Sequence, residues 1–212
     1  MSLIDNLIKE DWLKTPEIIE AFRKIEREDF LPEDTKHLAE LNEALPIGFG
    51  QTISQPLTVA FMLELLQPKP GDKILDVGAG SGWTSALSAE IAGSSGKVIA
   101  MEVIKELKEF GEKNVAKYGF IQKGIVEFIC QDGSKGFKEK APYDKILVSA
   151  FRKDAPEVLK EQLKIKGRLV CPIENSIWLF IKRARHNAVA LGGKNYEFEK
   201  KEYPGFVFVP LV

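Results

Sequence analysis

The chain is short of the residues that build metal sites and disulfides. Its 212 residues include only two histidines, His37 and His186, and two cysteines. Two histidines far apart in the chain do not form a zinc constellation, and we expect no metal. Cys130 and Cys171 both lie in apolar runs typical of strands. We therefore predict two buried, reduced thiols rather than a disulfide.

An excess of charge of one sign and a long apolar run are also missing. Lys and Arg number 30 against 31 Asp and Glu, so no global basic field attracts nucleic acid, and we expect no nucleic-acid partner. No apolar stretch approaches the roughly 20 residues that cross a membrane, and residues 1–5 do not resemble a signal peptide. We expect a cytoplasmic monomer without membrane contact.

Apolar residues, 44% of the chain, are enough for a sizeable core. Residues 1–45 predict helices, residues 46–56 an ordered loop, and residues 57–66 an apolar helix. From residue 73 onward, strand-like and helix-like segments alternate, which indicates a parallel sheet covered on both faces. The predicted strands are 73–77, 97–101, 125–130, 144–149 and 167–173, with helices at 83–92, 105–118 and 154–163. Antiparallel strands are predicted at 177–182 and 206–211, with a third at 196–201 between them.

A glycine-rich turn after the first of these strands is the main functional signal. Gly78, Gly80 and Gly82 follow Asp76, and a helix comes next. About twenty residues later the second strand ends at Glu102, whose carboxylate can bind both hydroxyls of a ribose. The G-x-G-x-G spacing departs from the G-x-G-x-x-G pattern that seats a pyrophosphate. It resembles motif I of the class I S-adenosylmethionine (SAM) methyltransferases.

A second motif is far more specific. Residues 46–56 have the sequence Pro-Ile-Gly-Phe-Gly-Gln-Thr-Ile-Ser-Gln-Pro, and this loop resembles the protein-L-isoaspartate O-methyltransferases. The resemblance extends over nearly the whole chain and includes residues 30–33, 131–133, 141–144 and 207–211.

The resemblance implies an α/β, Rossmann-like class I methyltransferase fold. The sheet is then doubly wound and mostly parallel, with an N-terminal helical cap and antiparallel C-terminal strands. We expect a single domain over residues 1–212. It divides into the cap with the substrate and cofactor loop at 1–56, the Rossmann-like core at 57–175, and the C-terminal strands at 176–212.

The implied activity is that of a protein-L-isoaspartate(D-aspartate) O-methyltransferase, a carboxyl methyltransferase. Such an enzyme uses SAM to methylate isoaspartyl residues of damaged proteins or peptides, leaving S-adenosyl-L-homocysteine. By resemblance, Ser54 is catalytic and lies beside the methyl-transfer site. The implied substrate-binding residues are Ser54, Ala150, Phe151 and Arg152. The implied cofactor-binding residues are Gln51, Thr52, Ile53, Ser54, Asp76, Gly78, Ala79, Gly80, Ser81, Glu102, Val103, Asp132 and Gly133.

Each of these roles has a purely structural alternative. Ser54 would cap the helix that begins near Pro56. Asp132 would belong to an ordinary Asp-Gly turn. Glu102 would be a solvent-exposed acid at the end of a strand. The residue type alone does not separate these alternatives from a binding role.

The chain departs from the family pattern at several positions. Phe49 stands where the family usually has His, and Glu40 and Asn42 stand where Tyr and Asp are common. Residues 150–153, Ala-Phe-Arg-Lys, replace a small apolar loop that helps receive the substrate. The two cations would clamp a carboxylate more strongly, serve another acidic substrate, or point to solvent.

Two other functions therefore stay open. One is a methyltransferase of the same fold with another acceptor, such as a modified peptide, a small acid or RNA. The other is a non-catalytic SAM-binding protein, which would be expected to carry damage in the cofactor motif. Motif I, Glu102 and Asp132 are intact here.

Overall fold

The computed structural model describes residues 2–150, 156–185 and 195–208. The described part contains a seven-stranded sheet, a two-stranded sheet and helices on both sides of the larger sheet. The helices are α1 (Leu3–Lys9), α2 (Pro16–Lys24), α3 (Pro56–Leu66), α4 (Trp83–Ala92), α5 (Lys105–Ala116) and α6 (Glu157–Glu161), with 3-10 turns at Arg27–Phe30, Lys36–Leu38, Gly133–Lys135 and Lys138–Lys140. The strands are β1 (Leu45–Gly48), β2 (Gln51–Ile53), β3 (Lys73–Val77), β4 (Lys97–Glu102), β5 (Val126–Cys130), β6 (Tyr143–Val148), β7 (Leu163–Ile173), β8 (Ser176–Ala184) and β9 (Tyr196–Pro204).

The large sheet has the strand order β5-β4-β3-β6-β7-β8-β9. Strands β3 to β7 are parallel, and β8 and β9 are antiparallel to their neighbours. The central strands are almost wholly buried because helices cover both of their faces. The chain runs from β3 outward to β5 and then returns to β6 on the other side of β3. This reversal creates a crevice at the carboxyl ends of β3 and β6, where open α/β sheets bind their ligands.

The N-terminal helices cap the helix layer rather than the sheet itself. Phe22 of α2 packs edge-on against Trp83 of α4, with ring centroids 5.5 Å apart. The hydroxyl of Tyr118 donates to Asp29 at 2.7 Å and accepts from the amide of Glu26 at 3.0 Å. The first contact fixes the cap beside the first turn of α4, and the hydrogen bonds of Tyr118 tie it to the segment after α5.

The segment predicted as an ordered loop, residues 46–56, is instead mostly a β-hairpin. Strands β1 and β2 pair antiparallel, with Leu45 opposite Ile53. Gly48, Phe49 and Gly50 all have positive φ, which reverses the chain between the strands. Sequence periodicity misses this hairpin because the strands have only four and three residues.

Two other predicted elements differ in the described residues. Helix 154–163 is reduced to α6, because the chain already extends at Leu163 to pair with β6 and β8; residues 151–155 lie outside the described residues. Residues 206–208, the described part of the last predicted strand, form no strand. Gly205, with φ +99°, ends β9, and the amides of Gly205 and Phe206 donate to Asn175 instead of continuing the ladder.

The two cysteines are free thiols, but only Cys171 is buried. The prediction that Cys130 is buried is wrong. Cys130 is the last residue of β5, which lies at the edge of the sheet, so no strand among the described residues pairs with its outer side. Within the described ranges, no helix is long and apolar enough to cross a membrane.

Candidate active site

The glycine turn after β3 is held by backbone hydrogen bonds. The amides of Gly78 and Ala79 donate to the carbonyl of Met101 at 2.9 and 3.0 Å, which ties the turn to β4. Gly78, Gly80 and Gly82 have φ values of +76°, +52° and +90°, in the region that favours glycine. Helix α5 also packs closely against the turn, since a Cβ on Gly111 would lie 2.6 Å from the carbonyl oxygen of Gly80. The turn therefore depends on glycine at four positions.

Asp76 lies behind this turn rather than on a cleft wall. Its side chain is fully buried and accepts hydrogen bonds from the hydroxyls of Thr84, at 2.7 Å, and Ser85, at 2.6 Å. These bonds tie the end of β3 to the first turn of α4. Burial raises the pKa of Asp76 from 3.8 to about 6, although the two hydroxyls oppose the shift.

The raised pKa of Asp76 predicts a pH-dependent contribution to stability. Because the folded-state pKa is above the unfolded value, the stabilisation is complete below about pH 4 and is lost as the pH rises through about 6. A shift of about 2 units corresponds to roughly 3 kcal/mol. In urea unfolding, the free energy of unfolding of Asp76→Asn should therefore rise by about 2–3 kcal/mol relative to that of the wild type when the pH is raised from 4 to 7.5. Asp34→Asn, at an exposed position, is the control. If the free energies of unfolding of Asp76→Asn and the wild type differed by the same amount at both pH values, the prediction would be contradicted.

Glu102 occupies the end of β4, as the sequence pattern places it, and it is not solvent-exposed. Only 6% of its surface is accessible. One carboxylate oxygen accepts from the amide of Gly80 at 2.9 Å, and the other accepts from the amide of Ile104 at 3.0 Å. Each oxygen keeps a second lone pair. The carboxylate is therefore fixed in orientation and can still accept hydrogen bonds from a pair of hydroxyls.

Most of the proposed cofactor and substrate residues line a single cleft at the switch point of the sheet. Including its open mouth, this cofactor cleft has about 730 Å³ of space. The residues from the sequence hypothesis on its wall are Gln51, Thr52, Ile53, Ser54, Gly78, Ala79, Gly80, Ser81, Glu102, Val103, Gly133 and Ala150. Phe151 and Arg152 lie outside the described residues.

Asp132 and its neighbour Gly133 have different surroundings. The Asp132 side chain is exposed and accepts from the amide and the hydroxyl of Ser134, at 2.7 and 2.8 Å, so it caps a 3-10 turn. Gly133 is buried on the cleft wall, where a Cβ would lie 2.6 Å from Cγ1 of Val77. The pair therefore has the Asp-Gly turn geometry, and the glycine rather than the acid faces the cleft.

Sequence reasoning missed several residues of the cleft wall. Ser149 follows the carboxyl end of β6, and its amide donates to the carbonyl of Val77 at 2.9 Å. Its position directly after the strand beside the switch point was the signal that could have identified it. The other missed residues are Ile47, Val59, Val77, Trp83, Thr84, Met101 and Gln131.

A second cleft adjoins the first. We call it the acceptor cleft; it is lined by Asn42, Glu43, Ala44, Thr52, Ser54, Gln55, Thr58, Ser149, Val207 and Phe208. Thr52, Ser54 and Ser149 line both clefts. Three hydroxyl-bearing side chains thus stand at the boundary, where a group could pass from a ligand in one cleft to a ligand in the other.

The helix after Ser54 does not need this serine as a cap. The N-cap of α3 is Gln55, and the amide of Leu57 donates to the side-chain oxygen of Asn42 at 2.9 Å. Asn42 also accepts from the side-chain amide of Gln55 through its carbonyl, at 2.9 Å. The departure from the family pattern at position 42 therefore supports the loop that contains Ser54.

The other departures lie away from the boundary between the clefts. Glu40 accepts from the amide of Leu3 at 3.0 Å and so belongs to the cap. Phe49 is at the tip of the hairpin, with 60% of its surface exposed. Neither residue lines the two clefts.

Comparisons with known proteins agree on one family. The model of the protein-L-isoaspartate(D-aspartate) O-methyltransferase family matches residues 1–212. The chain is 40% identical to the protein-L-isoaspartate O-methyltransferase of Methanopyrus kandleri over 99% of this chain and 89% of that protein. It is 45% identical to protein-L-isoaspartate O-methyltransferase 2 of Archaeoglobus fulgidus over 92% of this chain and 84% of that protein.

Solved structures show the same fold. A protein-L-isoaspartate O-methyltransferase with 26% sequence identity superposes with a TM-score of 0.83 over 98% of this chain and 64% of that one. A Plasmodium falciparum protein assigned to the same enzyme class, solved with S-adenosyl-L-homocysteine, gives a TM-score of 0.81 over 99% and 96% of the two chains at 22% identity. The predicted Rossmann-like class I methyltransferase fold is confirmed.

Proposed function

Because this chain belongs to the protein-L-isoaspartate(D-aspartate) O-methyltransferase family, we propose that its two clefts carry out methyl transfer from SAM to isoaspartyl residues. The cofactor cleft binds SAM, and the acceptor cleft receives the damaged residue of a protein or peptide. The observation that carries this assignment is the shared boundary of Thr52, Ser54 and Ser149.

The residues of the cofactor cleft suit a nucleoside with an amino-acid tail. Gly80 has no side chain, so a ligand can approach the backbone of the turn there without meeting a Cβ. The Ile47 side chain, 3.2 Å from where a Gly80 Cβ would lie, bounds this space. The Glu102 carboxylate would hold the ribose hydroxyls, and Gly78, Ala79, Gly80 and Ser81 would surround the methionine part.

The chemistry requires positioning more than proton transfer. SAM supplies a methyl group that is already activated by the sulfonium. An isoaspartyl carboxylate has a pKa of about 4 and is ionised at neutral pH, so it is itself the nucleophile and needs no general base. The protein must align the carboxylate with the methyl group and exclude water. Without the enzyme, the backbone amide nitrogen that follows would then attack the methyl ester and release methanol, which forms a succinimide. Water would reopen this ring partly to normal aspartate.

Ser54 has the central position in this scheme. Ser54 lies where the clefts meet, and its hydroxyl would donate to a carboxylate oxygen, while Thr52 and Ser149 line the same boundary. A hydrogen bond to a charged acceptor contributes about 1.5–3 kcal/mol. The hydroxyl therefore orients the nucleophile without removing a proton.

Ser54→Ala should lower kcat for methyl transfer about 10- to 100-fold, because one donor to the carboxylate is lost. The Kd of SAM should change less than about threefold, since the glycine turn and Glu102 remain. Steady-state kinetics with an isoaspartyl peptide and calorimetric titration with SAM measure the two effects. Ser94→Ala, on the exposed turn after α4, is the matched control. An unchanged kcat in Ser54→Ala would remove Ser54 from the transfer site.

The decisive test of the activity uses labelled SAM and two peptides that differ only in one linkage. Label should enter the isoaspartyl peptide and not the aspartyl peptide. Labelling of neither, in a preparation that binds SAM, would point to another acceptor for the same fold. Binding without transfer to any acceptor would support a non-catalytic SAM-binding protein.

We also propose a single domain over residues 1–212, which acts as a cytoplasmic monomer without a nucleic-acid partner. One hydrophobic cluster contains residues of the cap, such as Leu7 and Ile18, together with Ile74 of β3 and Ile181 of β8. This continuity supports the single domain, and the near-zero net charge supports the absence of a nucleic-acid partner. Light scattering at micromolar concentration would test the monomer.

A further inference from the structure

Arg27 is a buried cation in the 3-10 turn that follows α2. Only 6% of its surface is accessible. Within the described ranges it forms no ion pair with a carboxylate at 4 Å or less. A buried charge without a partner ion is costly unless dipoles compensate it. The environment of this guanidinium therefore needs to be rich in acceptors.

Within the described part of the chain, its hydrogen bonds go to four backbone carbonyls. Nη1 donates to Ala39 and Leu41 at 3.1 and 2.9 Å, and Nη2 donates to Glu43 at 2.7 Å and Ser54 at 3.2 Å. Three of these carbonyls belong to the segment that leads into β1, and the fourth belongs to Ser54. A planar guanidinium with five fixed donors can join such separate segments, whereas an ammonium cannot cover them with the same geometry.

The same group also contacts the cofactor side of the site. The guanidinium carbon lies 5.4 Å from the centroid of the Trp83 ring, in the range of a cation–π contact. Trp83 is the first residue of α4 and lines the cofactor cleft. Glu43 and Ser54 line the acceptor cleft. Arg27 thus touches residues of both clefts without lining either of them.

We propose that Arg27 is a positioning residue for methyl transfer, which fixes the Ser54 backbone relative to Trp83. The proposal rests on the function assigned above, because Ser54 must stand at the transfer site. Loss of the guanidinium releases the Ser54 carbonyl and the segment at residues 39–43, and the Ser54 hydroxyl then loses its alignment with the reacting atoms. The cofactor cleft keeps its glycine turn and Glu102.

A solvent-open cavity in the cap makes the proposal testable by chemical rescue. Arg27, Phe22, His37 and Trp83 are among the residues that line this cavity. After truncation of Arg27 to alanine, methylguanidinium could enter from the cavity and occupy the place of the missing group. A role that depends only on folding stability would not respond to this addition below the melting temperature.

The experiment compares Arg27→Ala, Arg27→Lys and Arg168→Ala in the full chain. Arg168 is the matched control, because its Nη1 donates to a backbone carbonyl, that of Leu65, at 2.7 Å, and it lines neither cleft. We expect kcat with an isoaspartyl peptide to fall about 10- to 100-fold in Arg27→Ala, the range of a misplaced catalytic group. The Kd of SAM should change less than about threefold, and tens of millimolar methylguanidinium should restore kcat at least about fivefold.

Arg168→Ala should keep its kcat and show no response to methylguanidinium. A wild-type kcat in folded Arg27→Ala would overturn the proposal. So would a parallel loss of SAM affinity and kcat without rescue. If Arg27→Ala does not fold, Arg27→Lys replaces it, and the proposal then requires a lower kcat at unchanged SAM affinity. Failure of the wild type to methylate the peptide would instead reject the proposed function.

Discussion

We expect Gly80→Val to abolish SAM binding while the protein remains folded. Gly80 has a φ of +52°, and a Cβ would lie 3.2 Å from Cδ1 of Ile47. A left-handed conformation costs a residue with a Cβ roughly 1–2 kcal/mol. The branched side chain would also occupy the surface that the cofactor must approach. A typical domain has a free energy of unfolding of about 5–15 kcal/mol. The expected loss of stability is smaller than this, so the fold should survive.

Calorimetric titration with SAM measures this effect, and circular dichroism with thermal melting verifies the fold. Gly124→Val is the matched control, because Gly124 has a similar φ of +66° but no atom within 4 Å of the added Cβ. It precedes β5, at the opposite end of the sheet from the cofactor cleft. Gly124→Val should lose comparable stability and bind SAM normally. Normal SAM binding by Gly80→Val would show that the glycine turn is not the cofactor site.

We expect Glu102→Ala to weaken SAM binding about 100-fold or more. The substitution removes the proposed acceptor of the ribose hydroxyls, and hydrogen bonds to a charged group contribute about 1.5–3 kcal/mol each. It also leaves the amides of Gly80 and Ile104 without the carboxylate that now accepts from them. The turn itself would therefore lose part of its order.

A cofactor analogue separates the ribose contact from the loss of order in the turn. The Kd of S-adenosyl-L-homocysteine and of its 2′,3′-dideoxy form is measured for wild type and Glu102→Ala, which completes a double-mutant cycle. The wild type should discriminate strongly between the two ligands, and the variant should not. Glu106→Ala, in the first turn of α5, is the control. Equal discrimination by wild type and Glu102→Ala would mean that Glu102 only supports the turn.

The fold was largely predictable because its strongest signals are local. Strands β3, β4 and β5 are short apolar runs bounded by turn residues, and the structure confirms them within one residue. The failures occurred where tertiary contacts outweigh local pattern. Leu163 leaves the helix to pair with Tyr143, and Phe206 bonds to Asn175 instead of extending a strand.

The site was predictable to a smaller extent. Glycine turns and strand-end acids have characteristic spacing, so the turn at Gly78 and the carboxylate of Glu102 were found from sequence. Ser149 and Arg27 were not, because no motif marks a residue that only completes a wall or bonds to a carbonyl. Asp132 shows the reverse case, in which an expected cofactor residue has its side chain engaged by Ser134.

The sequence by itself determined the parallel sheet, the glycine turn, Glu102 and the resemblance of residues 46–56 to one family. These features depend on short-range spacing and on backbone conformations that glycine permits. Only the tertiary structure decided that two clefts meet at Thr52, Ser54 and Ser149, and that Arg27 joins the cap to Ser54. The physical reason is that these arrangements come from packing and hydrogen bonds between segments separated by tens of residues, which leave no periodic trace in the chain.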